Sequence, residues 1–166
     1  SKIQVMKKQF SIYGYGNHYK NKIQPCLNKY NDIIIKNIIT SRKVINEDDI
    51  FKDKLSNEDC TKYVYIATPI AIHEKNIKEA LKCKKCNTII CEKSLTHNLK
   101  ATKSIVKKCR ENNVYLFESY MFNYHPQFIE IKKLIQKNIN FKRSGTIFCR
   151  YTIPKINYKD HRNNND

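Results

Sequence analysis

The chain has 166 residues, 40% of them hydrophobic, and a formal net charge of +17, enough for one packed domain with a short extension. No apolar run reaches bilayer length, and Ser1-Lys2-Ile3-Gln4-Val5 lacks the basic-then-apolar layout of a secretory signal, so a cytoplasmic protein with no membrane partner is expected. The positive charge is mostly lysine spread along the chain, and its tightest cluster, Lys82-Lys84-Lys85, has no arginine and no interleaved aromatics, which favours a solvated surface over a nucleic-acid interface.

Taken in order, the chain alternates strand and helix. Lys8 to Tyr13 reads as a short strand ending at Gly14, and a helix follows from Asn17 to Lys29, bent or ended by Pro25. Ile33 to Ile39 is a nearly continuous apolar run, as in a strand buried on both faces. Tyr63 to Ala67 is a strand stopped by Thr68-Pro69. The next helix, Ala71 to Lys82, puts Ile77, Ala80 and Leu81 on one face. Thr88 to Cys91 is a strand, and a helix from about Asn98 to Arg110 aligns Thr102, Ile105, Val106 and Cys109. Val114 to Phe117 is a further strand. Pro126 suits the first turn of a helix carrying Phe128, Ile131 and Leu134 or Ile135 inward. Gly145 to Ile153 reads as a long strand. Strand-helix alternation of this kind implies an α/β fold, a doubly wound, mainly parallel sheet of Rossmann type.

The seven cysteines are odd in number and irregular in spacing, which argues against a secreted disulfide framework. Cys83 and Cys86 form a CxxC that follows a helix instead of starting one, and no second CxxC or paired histidine completes a zinc set, so no metal site is expected.

Chemical signals collect at the strand ends. Gly14-Tyr15-Gly16 closes the first strand, where a dinucleotide fold needs glycine for the tight turn and for close approach of a pyrophosphate to the N–H groups of the following helix, which Asn17 opens. The third glycine of GxGxxG is replaced by Tyr19. After the second strand, where an acidic residue would grip the ribose hydroxyls of NAD, the sequence has Ser41-Arg42, a pair suited to a 2′-phosphate; this leans toward NADP over NAD. Ala67-Thr68-Pro69 with His73, then Cys91-Glu92-Lys93, then Glu118-Ser119-Tyr120-Met121-Phe122-Asn123-Tyr124-His125-Pro126 all begin at carboxyl ends of expected parallel strands, the edge where open α/β sheets bind ligands.

This order of motifs resembles the glucose-fructose oxidoreductase and inositol dehydrogenase family, Gfo/Idh/MocA. The resemblance implies a Rossmann domain followed by a domain built on a large antiparallel sheet, and hydride transfer to or from sugars, sugar nucleotides or polyols with NADP or NAD. It implies that Gly14 and Gly16, with the adjoining Asn17, meet the pyrophosphate, that Thr68, Pro69 and His73 lie along the cofactor, and that Glu92 and Lys93 sit beside the nicotinamide. Lys93 would be the catalytic or cofactor-positioning lysine; Asn123 and His125 would face the substrate. A lysine partly desolvated at a strand end can supply or accept the proton that accompanies hydride transfer.

The sequence departs from that pattern at Ser94, where the family favours proline, and at Asn123, where arginine is frequent. The stretch from Lys43 to Lys62 is short, so part of the usual first half is missing or reduced. Residues 1–125 are expected to form the cofactor domain. Residues 126–166 would be a linking helix and the start of an incomplete substrate domain, leaving the fragment inactive or nearly so. Two other readings stay open, a non-catalytic nucleotide-binding module and a basic nucleic-acid-binding protein; a homo-oligomer is also open.

Overall fold

The computed structural model describes residues 7–41 and 50–138, with Phe148 and Arg150. Two compact units divide the chain, Ser1–Met121 and Phe122–Asp166. Arg42 and the expected strand Gly145–Ile153, apart from isolated positions, lie outside the described residues.

In the first unit, β1 (Lys8–Tyr13), β2 (Ile33–Ile39), β3 (Phe51–Lys52), β4 (Tyr63–Ile66), β5 (Thr88–Glu92) and β6 (Tyr115–Ser119) form one sheet in the order β3-β2-β1-β4-β5-β6. Every pairing is parallel. The order reverses between β1 and β4, which makes a switch point with a crevice at the carboxyl ends of those strands. The doubly wound fold expected from the alternation is therefore present. β3, only two residues long, has no counterpart in the sequence reading.

Helices cover both faces. On one face α2 (His73–Ala80) and α3 (Leu99–Glu111) bury Ile77, Ala80, Ile105 and Cys109 against Val64, Ile66, Ile89 and Cys91. Asn98 caps α3, its side-chain oxygen accepting from the Ala101 N–H at 2.9 Å, a contact worth about 1 kcal/mol. On the other face the helical stretch 17–27 packs Tyr19 against Phe10, Ile12, Ile38 and Tyr65. That stretch comprises a π turn, Tyr19–Ile23, and α1 (Gln24–Leu27). Pro25 has no N–H to continue the ordinary ladder. The turn before it widens instead, with the Gln24 N–H reaching back to the Tyr19 carbonyl. Tyr19, at the position of the missing third glycine, is wholly buried at the start of this wide turn.

Asn37 interrupts the apolar run of β2 and is 1% exposed. Its amide donates to Ser11 Oγ at 3.0 Å and to the Asp59 carbonyl at 2.7 Å, and Ser11 and Thr61 hydroxyls share a 2.8 Å hydrogen bond. Ser11 and Asn37 are thus paired, as burial requires, whereas the buried Tyr13 hydroxyl at the end of β1 has no hydrogen-bond partner among the described residues.

One expectation needs correction. Phe128, Ile131 and Leu134 on α4 (Pro126–Asn138) are 41–52% exposed, and only the alternative, Ile135, is half-buried. Among the described residues the secondary structure of the second unit is α4 and the turn before it, and one helix cannot bury its own apolar stripe. Cys60 and Cys83 form a disulfide. The winding of β4 into α2 returns the end of the helix to the start of the strand, which brings these cysteines together across 23 positions. Cys86 of the CxxC is a separate buried thiol, and no metal-holding group of histidine, cysteine or carboxylate occurs among the described residues. No described helix is long and apolar enough to cross a membrane.

Candidate functional site

Parallel register fixes what meets at the carboxyl edge. Tyr13 pairs with Ile39 and Ile66, Ile66 with Cys91, and Cys91 with Glu118. The residues that follow, Gly14, Thr40, Ala67, Glu92 and Ser119, therefore form one row. Hydrogen bonding continues past the strands, with Gly14 N–H donating to the Ile39 carbonyl at 2.9 Å and Ala67 N–H to the Tyr13 carbonyl at 2.8 Å. Gly14, Thr68, Glu92 and Glu118 all sit at this edge, as the motif order predicts.

The two glycines of the first turn have different physical requirements. Gly14 has φ +98°, and a Cβ there would come within 2.9 Å of both the Ala67 carbonyl oxygen and Thr68 Cγ2. Only glycine permits that conformation and that approach of the β1 and β4 loops. A Cβ on Gly16 would meet nothing within 4 Å. Packing within the chain does not call for glycine at 16. The space above it is open, beside the first helical turn, whose N–H groups precede the intrahelical ladder. Tyr15, between them, packs its ring edge-on against Phe51 at 5.0 Å, anchoring the turn to β3. Asn17 is exposed on the first helical turn, and Ser41 is exposed just past β2.

α2 clamps two loops of the edge. His73 is 1% exposed; its Nε2 lies 2.7 Å from the Thr68 carbonyl oxygen and its Nδ1 3.0 Å from the Ser94 carbonyl oxygen. Asn76, three residues on and on the same helix face, donates from Nδ2 to the Thr68 hydroxyl at 2.8 Å. The structure thus brings Thr68, His73 and the Lys93–Ser94 segment together, with the histidine ring occupied by backbone carbonyls. Pro69 is exposed beside Thr68. The Lys93–Ser94 peptide is cis, and Lys93 is exposed at the end of β5. The Leu95 N–H donates to Glu118 Oε1 at 2.9 Å, tying this loop to β6 as well.

Glu92 is the buried charge of the site, its side chain 11% exposed. The Tyr65 hydroxyl donates to Glu92 Oε1, and His18 Nε2 lies 3.1 Å from the same oxygen. Burial, reinforced by the Glu92 carboxylate, pushes the Tyr65 phenol well above its ordinary value, so Tyr65 stays a donor. Burial also pushes the neighbouring Cys91 thiol up to about 12, which makes it a poor nucleophile. Asn123 and His125 belong to the second unit. Asn123 is exposed on a 3-10 turn, Met121–Tyr124, and the His125 Nδ1 accepts from the Gln127 N–H at 3.2 Å, opening α4.

Sequence reasoning passed over His18, Tyr65 and Asn76. A histidine two positions past the glycine turn was a usable signal. So was Asn76 at i+3 from His73. Tyr65 could be found only from strand register, which sets it beside Ile90, two residues from Glu92 and on the same face.

Comparison with known proteins adds the family. The model for the Gfo/Idh/MocA oxidoreductase family, NAD-binding Rossmann fold, matches residues 8–120. Among curated proteins, the chain is 29% identical over 99 residues to the scyllo-inositol 2-dehydrogenase (NADP(+)) IolU of Bacillus subtilis, covering 60% of this chain and 30% of that protein. It is 26% identical over 147 residues to the uncharacterized oxidoreductase YgjR of Escherichia coli, covering 89% and 41%. Among solved structures it superposes on KijD10, a 3-ketoreductase from Actinomadura kijaniata in complex with NADP and TDP-benzene, with a TM-score of 0.66 at 18% identity, covering 79% of this chain and 42% of that one. An oxidoreductase from Bacillus cereus gives the same TM-score at 21% identity, with 79% and 40% covered. The chain thus spans well under half the length of these relatives.

Proposed function

Since this chain belongs to the Gfo/Idh/MocA oxidoreductase family with an NAD-binding Rossmann fold, we propose that it is the cofactor-binding part of an enzyme that moves a hydride to or from a sugar, sugar-nucleotide or polyol carbon. The observation that carries this reading is the contrast between the two glycines. Gly14 is required by the fold, whereas Gly16 leaves open space at a helix start on the switch-point edge, which suits a pyrophosphate. The nicotinamide, when bound, supplies the hydride chemistry. The chain's own residues would do the rest. Gly14, Gly16 and Asn17 would hold the pyrophosphate, and Thr68 and Pro69 would lie along the dinucleotide. His73 would hold the Thr68 and Ser94 loops in place. Lys93, exposed beside the buried Glu92, would give or take the proton on the substrate oxygen. Asn123 and His125 would meet the substrate. Ser41 and Arg42 favour NADP.

In this reading the 166 residues bind cofactor but turn over substrate little or not at all by themselves, because holding a sugar carbon against the nicotinamide needs walls on both sides of the substrate. Titration of NADPH and NADH against the chain, followed by cofactor fluorescence, tests it. Saturable binding is expected. Gly16→Ala should keep the urea midpoint and bind at least about tenfold more weakly, because only the ligand would meet the new methyl group. Arg42→Ala should weaken NADPH binding by about 1–3 kcal/mol and leave NADH nearly unchanged. No saturable binding, or full affinity in Gly16→Ala, would overturn the proposal.

A further inference from the structure

A buried carboxylate lies on the same edge as the glycine turn. Glu92 is buried at the end of β5, and the dinucleotide proposed above is itself an anion. Two negative charges near one crevice repel, and the low dielectric of a buried site strengthens the repulsion. One side chain links the glycine turn to this carboxylate. His18, on the first helical turn after Gly16, sets its Nε2 3.1 Å from Glu92 Oε1 while its side chain stays 47% exposed. The same oxygen is held from within the sheet by the Tyr65 hydroxyl.

We propose that His18 is a positioning residue for a pyrophosphate-containing dinucleotide, holding the Glu92 carboxylate by a contact that offsets its charge and tying the glycine turn to the strand end that carries Lys93. A neutral imidazole does this by donating one N–H to the carboxylate, and a protonated one adds its charge, so the role holds in either form. Tyr65 fixes the carboxylate from below, because its buried phenol remains a donor. The contact joins the helical turn after β1 to the end of β5, so its loss would affect the cofactor side of the site more than the core. The inference rests on the cofactor reading above.

Its test is a double-mutant cycle on the full chain, with NADPH affinity as the readout and the urea midpoint measured for each variant. His18→Ala should bind NADPH about tenfold or more weakly than the unmodified chain with little change in midpoint, as suits a half-exposed side chain. His18→Gln, whose amide can still donate, should recover most of the affinity. In a Glu92→Gln background, where there is no charge to shield, adding His18→Ala should cost less than about threefold. That cancellation is what a merely structural histidine would not produce. Equal affinity for His18→Ala and the unmodified chain, or the full tenfold loss again in the Glu92→Gln background, would overturn the inference alone. Absence of NADPH binding by the unmodified chain would remove the cofactor reading and this inference with it.

Discussion

Replacing His73 with alanine should destabilise the first unit by about 2–4 kcal/mol, a large effect for one polar side chain. The magnitude follows from its surroundings. The ring is 1% exposed and lies between the Thr68 and Ser94 carbonyls at 2.7 and 3.0 Å. The ring donates from at least one nitrogen, so at least one contact is a full hydrogen bond worth about 1 kcal/mol, and removing it strands a carbonyl at a cost of about 1–3 kcal/mol. The volume of a buried ring adds a void on the order of another 1 kcal/mol or more. These parts overlap, which is why the expected total stays below their sum. Urea unfolding followed by circular dichroism measures the change. At about 2–4 °C per kcal/mol for a chain of this size, the thermal midpoint should fall by roughly 5–15 °C. Limited proteolysis should show earlier cleavage in the Thr68–Ile70 and Lys93–Leu95 loops, since the ring holds both. Glu74→Ala, one residue along on the partly exposed side of α2, is the control and should cost under about 0.5 kcal/mol. A loss below about 1 kcal/mol for His73→Ala would refute the account of α2 as the clamp on these loops.

Gly14→Ala should be worse than an ordinary surface change, by about 2–4 kcal/mol, because the left-handed backbone and the 2.9 Å approach to the Ala67 carbonyl oxygen both oppose a Cβ; a urea midpoint near that of the unmodified chain would contradict this. Among the described free cysteines, exposed Cys26 should be labelled fast by a thiol reagent and Cys86, Cys91 and Cys109 slowly, because burial raises the buried thiols, Cys86 to about 11 and Cys91 to about 12; peptide mapping after timed labelling gives the order. Stability should fall on acidification below the usual carboxylate range: hydrogen bonds from Lys8 to Asp32 and from Ser56 to Asp59 hold both carboxyls below their ordinary 3.8, so their contribution is present above that value and is lost as pH drops through the lowered ones. Unfolding curves for Asp32→Asn and Asp59→Asn should show a shallower acid slope than the unmodified chain.

Most of the sheet was legible because its signals are local. β1, β2, β4, β5 and β6 are short apolar runs broken by Gly14, Thr68-Pro69 and similar punctuation, the trace a buried parallel strand leaves, although β6 at the sheet edge is largely exposed. β3 was not legible, since two residues carry no period. The helix Pro126–Asn138 shows the limit of an amphipathic pattern. Phe128, Ile131 and Leu134 share a stripe, but a stripe states only which side is apolar, not whether anything covers it, and these residues are exposed. The Cys60–Cys83 bond was hidden for the opposite reason. It depends on where the winding of β4 and α2 returns the chain, which spacing in sequence does not encode.

The candidate site divides along the same line. Gly14 and Gly16 could be placed from sequence because each serves a turn at a strand end. That they differ in kind, one excluded from bearing a side chain by Ala67 and Thr68 and the other free to bear one, needs the approach of two loops remote in sequence. His73 was legible as a residue placed at this edge. Its burial between the Thr68 and Ser94 carbonyls shows a residue that can act on the edge only through the loops it holds. Tyr65, Glu92 and His18 sit on one face of the sheet only because β1, β4 and β5 are parallel and in register. A motif scan finds Glu92 and Lys93 as adjacent letters. The fold separates them into a buried carboxylate held by partners and an exposed lysine, so that in the proposed reading one strand end both anchors the edge and offers a group for proton transfer.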